Sequence, residues 1–108
     1  MKYTRIQDNA EDNTFSIFWS DNFYAIFQPY CGTGSYNNIY YRLFGLLPRD
    51  FYHYVGANYN ATFRKSPVLA RHVYMRFANK NDAIRFANEI DRRIEYCVHR
   101  GDFTPNNS

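Results

Sequence analysis

From Arg71 to Ala78 polar and apolar residues alternate, with His72, Tyr74 and Arg76 on one face and Val73, Met75 and Phe77 on the other. That period of two is the pattern of a half-buried strand. After the polar residues Asn79 to Asn81 the period changes. Ala83, Phe86, Ala87, Ile90, Ile94, Cys97 and Val98 recur at spacings of three and four and form one apolar stripe on a helix of about five turns. Asn79 or Asn81 suits its N-cap, Asp82 its first turn, and Arg92, Arg93 and Arg100 its end, with Gly101 where a stop is expected.

Upstream, Lys2 to Ile6 predicts a short edge strand and Asp8 to Asn13 a polar loop. Phe15–Trp19 and Phe23–Phe27 are aromatic and β-branched runs around Ser20-Asp21-Asn22, which predicts a β-hairpin. Phe15, Ile17 and Trp19 would point one way and Phe18 the other, so both sides of this ribbon are apolar. Pro29 to Asn38, with Gly32 and Gly34, reads as a loop. Ile39, Leu43, Leu46 and Leu47 have helical spacing, and Pro48 ends that short helix. Phe51–Val55 and Tyr59–Lys65 flank Gly56-Ala57-Asn58 and predict a second hairpin, which Ser66-Pro67 breaks. The sum is a single α+β domain over residues 1–103: an antiparallel sheet of about five strands packed on one long C-terminal helix, with a short additional helix. Residues 104–108 are expected to form a flexible tail.

Composition adds a bias toward binding. Among 108 residues, 11 Tyr, 10 Phe and 1 Trp make up 20%. Tyr joins a large contact area to a polar tip, as adhesive surfaces require, although aromatic residues equally suit the core of a small sheet. The formal net charge is only +3. Its distribution is uneven, because most of the arginines follow residue 60, and the guanidinium fork matches phosphate and carboxylate. Met1 to Ala10 has no apolar run of the kind a signal peptide needs, and no window is apolar for long enough to cross a bilayer. Cys31 and Cys97 lie far apart with no CxxC pattern, which reads as two reduced thiols. The expected compartment is the cytoplasm, without membrane association.

Candidate chemistry is sparse. Gly32-Thr33-Gly34-Ser35 resembles an anion-cradling loop only in part: GxGxxG is incomplete, and no lysine follows as in a P-loop. His53, His72 and His99 are scattered and do not stand at metal-ligand spacing with either cysteine. Asn60-Ala61-Thr62 matches a glycosylation acceptor, a match without weight in a cytoplasmic protein. The sequence therefore predicts a protein that is not an enzyme and uses no cofactor or metal.

What remains is a surface. If Val73, Met75 and Phe77 face the long helix, His72, Tyr74 and Arg76 face the other side of the sheet, joined by Tyr52, Tyr54 and Arg64 from neighbouring strands. Tyr and Arg dominate protein-binding hot spots. The expected function is a non-enzymatic protein-binding module, of the kind phages and mobile elements use to inhibit a host enzyme or defence complex by covering its surface. Single-stranded nucleic-acid binding by the same face is the alternative, since aromatic rings stack on bases and arginines reach phosphates. A structural homodimer that buries the outer side of Phe18 is the third reading. The outer face of the long helix, with Arg85, Glu89 and Arg93 four residues apart, predicts local ion pairing on a solvated surface.

Overall fold

A computed structural model describes residues 1–31, 37–65 and 73–101. Four strands and four helices follow in the order β1 (Thr4–Asn9), β2 (Thr14–Trp19), α1 (Asp21–Cys31), α2 (Asn37–Phe44), α3 (Pro48–Tyr59), β3 (Ala61–Lys65), β4 (Val73–Phe77) and α4 (Lys80–His99). The class is α+β, as the patterning predicts, with a four-stranded antiparallel sheet rather than one of about five. Strand order is β1-β2-β4-β3, so β1 and β3 are the edges.

Two hairpins make the sheet. β1 and β2 pair over their whole length, from Thr4 opposite Trp19 to Asn9 opposite Thr14, and the connecting turn places Asn13 in the left-handed region at φ 58°. β3 and β4 pair from Ala61 opposite Phe77 to Lys65 opposite Val73. The seam between the hairpins is a single pair, Phe15 opposite Phe77.

The strand and helix at the C-terminal end form as the periodicity demands. Asn79 caps α4, its Oδ1 accepting from the Asp82 amide at 2.9 Å, and the carboxylate of Asp82 in turn accepts from Asn79 at 2.7 Å and Asn60 at 3.0 Å. Phe86, Ala87, Ile90 and Ile94 on the apolar stripe are fully buried, and α4 packs on β1 and β2. Cys97 lies at the margin of that core, half-buried.

Two of the predicted strands are helices. Residues Phe23–Phe27 belong to α1, and Ser20-Asp21-Asn22 starts that helix instead of turning a hairpin: the Ser20 carbonyl accepts from the amides of Phe23 at 3.0 Å and Tyr24 at 3.3 Å. Residues Phe51–Val55 belong to α3. Pro48, expected to stop a helix, opens this one at its first turn, where its missing N–H costs nothing. Phe51, Val55 and Tyr59 then recur every fourth residue and are buried, and Asn60 ends the helix in the left-handed region at φ 51°. Short aromatic runs satisfy both periods, and here burial, of α1 against β2 and of α3 against α2, α4 and β3, selected the helical one. The helix predicted from Ile39 is α2, closed by Gly45 at φ 64°, with the Leu46 amide donating to the Tyr41 carbonyl at 3.2 Å. The backbone of residues 29–31 and of 37–38 is helical where a loop is expected; Gly32 to Tyr36 and Asp102 to Ser108, the predicted tail included, lie outside the described residues.

Candidate functional site

The face of the sheet turned away from α4 carries the residues that follow the second parity of each strand. Arg5 and Gln7 come from β1, Ser16 and Phe18 from β2, Thr62 and Arg64 from β3, and Tyr74 and Arg76 from β4, with Arg64 directly opposite Tyr74 and Arg5 directly opposite Phe18. Tyr74, Arg76 and Arg64 thus share a face as the sequence predicts. Tyr52 and Tyr54 do not join them, because α3 replaces the expected strand. The Tyr52 hydroxyl is hydrogen-bonded to that of Tyr41 and its ring lies 4.8 Å from Phe63, while the Tyr54 hydroxyl donates to Glu89 at 3.1 Å. His72 lies outside the described residues.

Below the single Phe15–Phe77 pair β2 and β4 part, and a cleft of about 240 Å³ opens between them. Ile17 and Phe18 line one wall, Tyr74, Met75 and Arg76 the other, and Tyr40 of α2 reaches it from the core. Each wall carries an aromatic ring under a guanidinium. Arg5 sits 5.1 Å above the Phe18 ring and Arg76 sits 5.4 Å above that of Tyr74. Phe18 is 39% and Tyr74 43% exposed, so both rings offer contact area to a partner. Arg76 is also braced from the side, donating to Ser16 Oγ at 2.6 Å, an oxygen that receives the Asn9 amide at 2.7 Å. A partly buried polar tether of this kind holds Arg76 in one orientation before any partner arrives.

The charge at the mouth of the cleft is mixed. Glu11 lines it. Asp12, in the β1–β2 turn, is held below the ordinary carboxylate range first by its hydrogen bond from Thr14 and also by the fields of Arg76 and Arg64. Such a surface offers both signs of charge around an apolar slot.

A second concavity, which patterning does not reveal, lies between α2 and α4. It measures about 470 Å³ and is lined by Arg42, Glu89, Arg92, Arg93, Tyr96 and Arg100, with Leu43 and Cys97 as its apolar part. Glu89, expected on a solvated face, is buried. It accepts from Tyr54, Tyr59 and Arg93, the last through Nε at 2.9 Å, and the Arg93 guanidinium lies 4.0 Å over the Phe44 ring. Burial pushes the pKa of the Glu89 carboxyl up, but the bonds from Tyr59 and Arg93 outweigh it and hold the group below the usual glutamate range. The Arg93–Glu89 pair four residues apart forms as expected, whereas Arg85 pairs with Asp82 at 2.9 Å instead. Helical spacing sets Arg92 and Arg100 on one face of α4, and the packing of α2 adds Arg42 opposite them, which no spacing along the chain signals.

Among the described residues no helix is long and apolar enough to cross a membrane. No protein-family model, curated protein or solved structure matches this chain.

Proposed function

We propose that the protein is a non-enzymatic protein-binding module that docks through the outer face of its sheet and acts by covering a functional surface of its partner, as a small inhibitor does. The observation that carries this reading is the pair of exposed aromatic–arginine walls, Phe18 with Arg5 and Tyr74 with Arg76, on either side of one cleft. Aromatic and arginine residues set around a slot are what a protein hot spot consists of, and the tether on Arg76 lowers the entropy lost on docking. Glu11 and Asp12 beside Arg76 and Arg64 favour a partner with charges of both signs over a phosphate chain, which the two carboxylates would repel.

The test is affinity purification of the tagged protein from its host, followed by titration of the protein that co-purifies in stoichiometric amount. Tyr74→Ala and Arg76→Ala should each weaken that complex by more than ~1 kcal/mol, while Ala57→Ser on the exposed side of α3 should leave it unchanged. Retention of the partner by both cleft variants at wild-type affinity overturns the assignment of this face. Tight, steeply salt-dependent capture of a single-stranded oligonucleotide that Tyr74→Ala abolishes would instead make it a nucleic-acid surface.

A further inference from the structure

The groove between α2 and α4 is lined by basic side chains from both helices. Four arginines and one glutamate line it, a formal local charge of +3. The glutamate is spoken for, since Glu89 is only 8% exposed and bound by Arg93. The other acids of α4 face away. Asp91 accepts from the Tyr3 amide at 3.0 Å and Glu95 from Lys2 Nζ at 2.6 Å, so both are turned to β1, and Asp82 is engaged at the far end of the helix. The i, i+4 row Arg92, Tyr96 and Arg100 is left facing the groove opposite Arg42. Arg92 is exposed and has no ion pair or hydrogen bond among the described residues. Tyr96 is 62% exposed, with the Arg100 guanidinium 5.2 Å above its ring.

We propose that this groove is a binding site for an organic phosphate of nucleotide size, with the phosphate groups on Arg42, Arg92 and Arg100 and the ring of the ligand against Tyr96, Leu43 and Cys97. The volume falls within the range of small-ligand sites, and the lining divides into a cationic part and an apolar part, as the two halves of such a ligand require. Guanidinium groups bind phosphate oxygens in pairs, and Tyr96 offers an amphipathic ring. The site lies on α2 and α4, away from the cleft in the sheet, so it stands or falls independently of the protein-binding reading.

Calorimetric titration of the intact protein with ATP, inorganic triphosphate and adenosine tests it. ATP should bind saturably and weaken as salt is raised, triphosphate should bind less tightly, and adenosine should not bind. Arg92→Gln and Arg100→Gln should each lower ATP affinity about tenfold, the loss of one charge-assisted hydrogen bond. Arg64→Gln, which removes the same charge from the sheet face, should leave it unchanged. Absence of saturable ATP binding, or an equal loss in Arg64→Gln, overturns the site. Binding of a single-stranded oligonucleotide through Arg92 and Arg100 without binding of ATP also overturns it and makes the groove a nucleic-acid contact.

Discussion

Glu89 shows how a single side chain can organise a helix pair. Its carboxylate collects two tyrosine hydroxyls from α3 and the Arg93 guanidinium of its own helix, so a charge that would be costly to bury has its acceptor sites filled. Because the folded protein holds this carboxyl below its unfolded value, the stabilisation is fully present above the ordinary glutamate pKa of 4.5 and is lost as pH falls through the lower, folded value. Denaturant midpoints taken at about pH 7 and about pH 3 should therefore drop for the wild type. Glu89→Gln should be less stable near neutrality, where Arg93 loses its counter-charge, and should show the smaller drop on acidification. An equally steep fall in the variant would assign the acid sensitivity to Asp82, Asp12 and Glu95, whose pKa values are also lowered.

At the scale of elements, the ends are where sequence and fold agree best. Asn79 caps the backbone amide of Asp82 three residues later and its side-chain amide donates back to the Asp82 carboxylate, and Asn60 at the close of α3 joins the same cluster. Asn79→Ala should lower stability by about 1 kcal/mol in chemical denaturation, and Asn79→Ser, which keeps an acceptor at the cap, should recover most of the loss. Full stability in the alanine variant would show that the Asn60–Asp82 contact alone holds the start of α4. α1 and α3 carry weaker start signals, Asp21 in the first turn of α1 and Pro48 with Asp50 in that of α3. Phe23-Tyr24-Ala25-Ile26-Phe27 and Phe51-Tyr52-His53-Tyr54-Val55 are rich in residues that favour strands, and the buried spacing Phe51, Val55, Tyr59 after Pro48 is what marks the second as a helix. Gly56-Ala57-Asn58, which looks like a hairpin loop, is the last turn of α3.

Across the whole molecule the layers meet at Phe86. Its ring lies 5.3 to 6.4 Å from those of Tyr40 and Phe44 on α2, Phe51 and Tyr59 on α3, and Phe77 on β4, so one α4 residue touches two helices and the sheet. Trp19 and Phe23, stacked at 3.9 Å, extend the same aromatic core to β2 and α1 through Tyr40. Phe86→Ala should cost about 3–5 kcal/mol, a large share of the stability of a domain this size, and should abolish cooperative thermal unfolding by calorimetry if the layers depend on this junction. A loss below ~1 kcal/mol would mean that the surrounding rings close the cavity.

By itself the sequence determined the α+β class, a strand within Arg71 to Ala78, the capped helix that follows and the sharing of one strand face by Tyr74 and Arg76. Each of these rests on residues close together in the chain, where a period of two or of 3.6 fixes which side chains point the same way. Tertiary structure alone decided the rest. It made helices of two aromatic runs by burying one against β2 and the other against α4, and it left one pair between β2 and β4, so that a cleft opens in the sheet. It also carried Arg42 across to Arg92 and Arg100, on a helix far along the chain, and turned Glu89 inward. Those outcomes depend on which surfaces exclude water together, a property of the assembled layers that no local spacing encodes.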